Sequence, residues 1–214
     1  MAQPAGSSRE RMLDAAETLL RERGLAGAGI LHVVARSGAP IGSVYHFFPG
    51  GKTQLVGEAL QINGEKARAL FQKILENTGK PLPERLRTLF RTAASGFDRA
   101  GGNTSCAIGN VALDLDARQE ALRAVCRDVL DGWIAAIARE LPWSDETLRR
   151  SFAELVVAGV EGAFILSRTR RSGAPFITVG EWLATVLEPI PQNTPRRAAG
   201  KQKRRSQQKP NRRR

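Results

Sequence analysis

Side chains that most often serve as bases, nucleophiles or soft metal ligands are scarce: two histidines, His32 and His46, and two cysteines, Cys106 and Cys126. None falls into a Ser-His-Asp or Cys-His arrangement or a paired ligand spacing, and Gly50-Gly51 and Gly101-Gly102 are too short to cradle phosphate. The reading is therefore of a protein that is not an enzyme, with no cofactor and no metal. One short stretch does concentrate polar contact chemistry, and it is non-covalent. Ala39, Gly42 and Ser43 are small enough to let a backbone lie close to a partner, with Pro40 and Ile41 leading into them. Ser43 can donate to a phosphate or a base edge, and Tyr45 and His46 project a hydroxyl and an imidazole. Lys52 opens the next segment, where its ammonium and exposed helix amides both favour an anion.

These residues need helices to position them. Ser7 and Glu10 have the spacing of a capping box, so a helix begins there. Met12, Leu13, Ala16, Leu19 and Leu20 repeat along one of its faces until Gly24 supplies a stop. A second short helix fits Ile30–Ser37 and a third 41–47, with Gly38 in a left-handed turn and Pro40 at the start of the third. A long helix follows over 52–75, with Asn63-Gly64 as its weak point. The remainder shows no strict alternation and divides into helices near 83–99, 105–113, 117–140, 144–169 and 175–187. The fold class is all-α, with three short helices in the layout of a helix-turn-helix, in which the third element enters the major groove.

The segment 38–52, GAPIGSVYHFFPGGK, together with the amphipathic first helix and Gly24-Leu25 at its end, resembles the TetR repressor family. The stretch 106–113, CAIGNVAL, preceded by Gly102, is similar to the LmrA/YxaF-type subgroup. The resemblance implies an N-terminal helix-turn-helix over 9–51 after a flexible start at 1–8, and a helical effector-binding and dimerisation domain over 52–188. It also implies a repressor that leaves its operator when a small molecule binds. Two features depart from the family pattern. Ala28-Gly29 stands where relatives put Thr or Ser, and His32-Val33-Val34 replaces an acidic-Ile-Ala stretch, so a helix cap and a phosphate contact are expected to be missing. Ile41 replaces a polar or basic residue and either meets a thymine methyl group or packs internally. Phe48 reads as core, Tyr45 as a DNA contact, and His46 equally as a cap or a phosphate contact.

A reader of two half-sites needs a partner copy. Apolar faces of the last two helices are the candidates: Phe152, Leu155, Val156, Val160 and Phe164, then Phe176, Val179, Trp182, Leu183 and Val186. The family's ligand cavity maps to Phe71, Phe97, Cys106, Ile108, Asn110, Val111, Trp133, Ile137 and Phe164, with Asn103, Thr104 and Ser105 as further polar anchors. An apolar stripe of this kind is more often core than pocket, because pockets are few per protein. Cys106 has no neighbouring cation in sequence to lower its pKa and reads as a small buried hydrophobe rather than a thiol sensor.

The net charge of +12 sits mostly at one end. Residues 196–214 hold ten of the 33 Lys and Arg and no acid, leaving 23 basic against 21 acidic residues before them. Residues 189–214 read as a disordered basic tail that either adds salt-sensitive DNA affinity or keeps the chain soluble. Two ordinarily spaced cysteines, no leader pattern and no long apolar run point to a cytoplasmic protein without a membrane segment, associated with the nucleoid when DNA-bound.

Overall fold

A computed structural model describes residues 6–188, and the basic tail lies outside them. Among the described residues the chain forms α1 (Ser8–Gly27), α2 (Ile30–Ser37), α3 (Gly42–Phe47), α4 (Gly51–Leu75), α5 (Leu82–Arg99), α6 (Ala107–Asp114), α7 (Glu120–Arg139), α8 (Glu146–Arg170) and α9 (Ala174–Val186), and no strand. Ser7 and Ser8, assigned on sequence grounds to the flexible start, are the N-cap and first residue of α1. The capping box forms in full: Glu10 N–H donates to Ser7 Oγ at 3.3 Å and Ser7 N–H to Glu10 Oε2 at 2.7 Å. Donation to the ionised carboxylate from the Ser7 N–H, and next from its hydroxyl, holds the Glu10 pKa below its usual range.

Gly24 interrupts α1 at φ 67°, ψ −165°, which a residue with a Cβ adopts only under strain. The amide released by the break, Leu25 N–H, is taken up by Asp114 Oδ2 at 2.8 Å. The second helix starts at Gly29 with no side-chain cap, as the departure at 28–29 implies. It closes at Gly38, left-handed at φ 64°, whose N–H returns to Val34 O at 3.1 Å. Met12, Leu20, Val33, Val44, Phe48, Leu55 and Leu60 are fully buried and form the core under α1–α4. The Arg9 guanidinium lies 5.5 Å over the Phe48 ring, so Phe48 is core as read.

The long helix α4 runs unbroken through Asn63-Gly64, against the expected weak point. Gly64 is buried, and a Cβ there would fall 2.6 Å from Val129 Cγ1 on α7. Its carbonyl accepts from Trp133 Nε1 at 2.9 Å, and Asn63 donates to Glu17 Oε1 at 2.9 Å. Close approach of two helices, with both polar groups satisfied, overrides the dipeptide's preference for turns. Below the head, α4 and α5 pack on α7 and α9, and α8 closes the bundle against both.

The last two helices divide their apolar residues. Phe152, Val156, Phe176 and Leu183 are buried within the chain, which corrects their place on a dimer surface: they fill the monomer core. Leu155, Trp182 and Val186 remain exposed, joined by Ile165, Leu166 and Ile177. No described helix is long and apolar enough to cross a membrane.

Candidate nucleic-acid interface and interior cavity

Two places in this fold could meet a partner, and a short connection of hydrogen bonds joins them. The first is the outer face of α3 and the turn before it. Gly38 turns the chain out of α2, and Val44 and Phe48 anchor α3 from below at no exposure. Pro40, Ile41, Gly42, Tyr45 and His46 are left on the outside, with Ser43 half-buried between them. Tyr45 is 62% and Ile41 53% exposed, large values for an aromatic and a β-branched residue on a short helix. Exposure of Ile41 argues against internal packing. Leu31, in the first turn of α2, is 69% exposed and had no signal in its own sequence context.

Ala39 and Lys52 depart from expectation. Ala39 is only 4% exposed and its N–H donates to Ser37 Oγ, so it shapes the turn instead of facing outward. Lys52 Nζ donates to Leu25 O at 2.7 Å, closing the end of α1 onto the start of α4. Its charge therefore caps a carbonyl in the last turn of α1. His32 is exposed, with Nδ1 3.1 Å from Gly27 O.

The second place is a cavity of about 370 Å³, open on one side, bounded by α1, α4, α5, α7, α8 and the segment leading into α6. Such a volume lies within the range of small-molecule sites. Of the residues read as cavity lining, Phe71, Phe97, Cys106, Trp133 and Phe164 are brought together here, and Thr104 and Ser105 supply hydroxyls. Phe71 and Trp133 meet edge to face at 5.5 Å, and Phe164 stands edge-on to Phe176 at 4.9 Å. Ile108 and Val111 do not line it, because both are fully buried on the core side of α6. Ile137 and Asn103 are likewise outside the lining. Asn110 is occupied elsewhere, donating from Nδ2 to Leu20 O at 2.9 Å and Arg21 O at 3.3 Å. Glu17, Arg21, Asn63, Lys66, Arg99, Val160 and Glu161 line the cavity without having been read as lining on sequence grounds, Val160 having been assigned to the dimer face. Exposed Lys66, Leu70 and Arg99 mark its opening. Glu161 shows in sequence only as a charge breaking an apolar run; its period along α8 with Phe164 is the signal that could have found it.

Burial keeps both thiols protonated. The Cys106 pKa is pushed well above its ordinary value by desolvation, with the Glu161 carboxyl adding to the rise. That of Cys126 is pushed up to about 11.

The connection runs through α6. Ser105, a cavity residue, donates to Arg21 O from its N–H at 3.1 Å and its Oγ at 2.9 Å. With Asn110 and Asp114 it holds the carbonyls and the amide flanking the Gly24 break. The end of the first DNA-head helix is thus fastened to the cavity wall by side chains spread over ten residues, 105–114.

The family model for bacterial regulatory proteins of the tetR family matches residues 12–59, and that for the C-terminal domain of LmrA/YxaF-like transcriptional regulators matches residues 83–182. The HTH-type transcriptional regulator YxaF of Bacillus subtilis is 31% identical, the match covering 85% of this chain and 96% of the relative. LmrA of the same organism is 28% identical, covering 86% and 98%. The crystal structure of regulatory protein TetR from Rhodobacter sphaeroides superposes with a TM-score of 0.75 at 21% identity, over 83% of this chain and 97% of that one. With the exposed α3 face and the domain order of those relatives, these matches make the chain a member of the TetR family of DNA-binding transcriptional regulators, with a C-terminal domain of the LmrA/YxaF-like kind.

Proposed function

We propose that the chain is a homodimeric repressor that reads an operator with Ile41, Gly42, Ser43, Tyr45 and His46, and is released when a small-molecule effector fills the cavity. It acts in the cytoplasm, on the nucleoid. The observation that carries this reading is the shared segment 105–114, in which Ser105 both faces the cavity and holds Arg21 O. An occupant that displaces this segment moves the end of α1, and with it the angle at which α3 meets the groove. In a dimer, a ligand that binds the wrongly spaced arrangement of heads more tightly shifts the population away from the operator-bound one. A differential affinity of about 1–3 kcal/mol is typical of such coupling.

Dimerisation supplies the two-fold symmetry that paired half-sites require. Exposed Leu155, Ile165, Leu166, Trp182 and Val186 on α8 and α9 support that face as the contact. Ala39 shapes the α2–α3 turn, and Lys52 steadies the head from behind through Leu25 O.

The test is footprinting on the DNA upstream of the chain's own gene, with random DNA as competitor, for the full chain and a Tyr45→Ala, His46→Ala double variant. Two protected half-sites that disappear in the variant are expected. Equal binding to both DNAs, unchanged in the variant, would overturn the reading and leave a charge-driven binder.

A further inference from the structure

The cavity contains an acceptor that the fold leaves unsatisfied. Glu161 reaches from α8 toward the first turn of α6, and its Oε1 is buried with no hydrogen-bond partner among the described residues. Its Oε2 lies where a Cβ on Gly109 would fall, 2.1 Å away, so the carboxyl rests against the bare backbone of that turn. Desolvation raises the Glu161 pKa, and the neighbouring Cys106 thiol draws it back only in part. A buried acceptor without a donor costs free energy, and a carboxyl more than most. No fold-building contact in the described residues uses this oxygen.

Its surroundings restrict what could. Phe71, Trp133 and Phe164 give flat apolar walls with π faces. Glu17, the other carboxylate of the lining, is already engaged with Lys66 at 2.7 Å and with Asn63. Glu161 is therefore the carboxyl of the lining that no cation among the described residues engages. Lys66 and Arg99 stand at the opening, Lys66 already on Glu17, and Arg21 lies on the α1 wall; beside Glu161 itself an anion would meet the carboxyl unfavourably, and a neutral hydrocarbon would leave Oε1 unpaired. An ammonium would supply a charge-assisted hydrogen bond, with cation–π attraction from the rings around it.

We propose that the effector is a small arylalkyl amine, bound as its ammonium ion to Glu161 Oε1 with its ring among Phe71, Trp133 and Phe164. This rests on the cavity being the effector site. The seat of the ammonium lies against the first turn of α6, the helix whose other residues hold α1.

Calorimetric titration of the full chain with three probes of one shape tests it: 1-naphthylmethylamine, 1-naphthalenemethanol and 1-naphthoic acid. The amine should bind tightest, the alcohol more weakly and the acid weakest. Glu161→Gln, which preserves shape, should weaken the amine roughly tenfold or more, because a charged partner is lost. The alcohol should change by no more than about threefold, a neutral hydrogen bond being exchanged for another. The proposal is overturned by failure of the amine to bind the unaltered chain, by naphthoate binding as tightly as the amine, or by an amine affinity that the variant leaves unchanged. If the variant does not fold, the order of the three probes on the unaltered chain decides alone. The same titrations repeated with operator DNA present separate the two readings. Amine binding that depends on Glu161 but never releases DNA keeps the ligand chemistry and sinks effector release; release by naphthoate alone does the reverse.

Discussion

Tyr45 and Lys52 stand seven residues apart and separate recognition from support. The Tyr45 ring is mostly in solvent, so Tyr45→Ala should change unfolding free energy by less than about 0.5 kcal/mol while abolishing operator protection. Lys52 closes onto Leu25 O, so Lys52→Ala should lower stability by about 0.5–1.5 kcal/mol in urea denaturation, with a smaller loss of DNA affinity. Reversal of that pattern would return Lys52 to the phosphate contact its motif implies. The motif was legible in sequence because its residues are contiguous. Lys52's partner was not, since Leu25 becomes a neighbour only after α1 breaks at Gly24 and α4 folds back. Glu161 was hidden for a similar reason: one acid in an apolar run shows its meaning only when α6 is placed against it. Its raised pKa gives a second test. The folded chain keeps the Glu161 proton to higher pH than the unfolded chain, whose carboxyl titrates near 4.5. Its contribution to stability is therefore greatest at acid pH and falls as pH rises from about 4.5 through the raised value. Glu161→Gln should melt above the parent near pH 8, with the gap closing toward about pH 4. A variant that melts lower than the parent near pH 8 would show the ionised carboxyl to be held by favourable contacts instead.

At the scale of the element, helical periodicity and punctuation by Gly and Pro were enough to place every helix among the described residues. Boundaries moved by a few residues, as for α7, which starts at Glu120 rather than near 117. The reading of Asn63-Gly64 as a weak point failed because a local preference cannot report a helix arriving from 65 residues further along the chain. At Gly64 α4 and α7 come too close for a side chain, and the Trp133 bond to its carbonyl fixes the indole at the cavity wall. Gly64→Ala should accordingly destabilise by about 1–3 kcal/mol through overcrowding of Val129, although alanine is the better helix former by about 1 kcal/mol. Val129→Ala in the same chain should return most of the loss. A thermal melt of the four combinations measures the coupling between the two sites. Gly64→Ala as stable as the parent would mean that α4 and α7 do not approach this closely.

For the whole molecule, the sequence indicated two partner surfaces and could not apportion their residues. Helical periodicity identifies apolar faces, but a residue serving the chain's own core and one awaiting a second copy carry the same pattern. The split appears once Phe152, Val156 and Phe176 are seen inside and Leu155 and Trp182 outside. Trp182→Glu should therefore convert the dimer to a monomer in sedimentation while leaving its helix content unchanged, because 73% of the residue's surface is free of the monomer core. Charge is the other property that belongs to the entire chain. With ten cations at 196–214 and a net charge near +2 before them, a tail that touched DNA would do so by different physics from the head. Each phosphate neutralised releases counterions, which makes tail affinity steeply salt-dependent and blind to sequence. Head affinity depends also on base-edge contacts that salt does not screen in the same way. Deleting 196–214 should therefore weaken binding to random DNA more than binding to the operator, and flatten the slope of log affinity against log salt. The specificity ratio would rise, read from filter binding at two or more salt concentrations with both DNAs. If the deletion removes operator and random binding equally, the exposed α3 face contributes little by itself, and the tail carries the affinity.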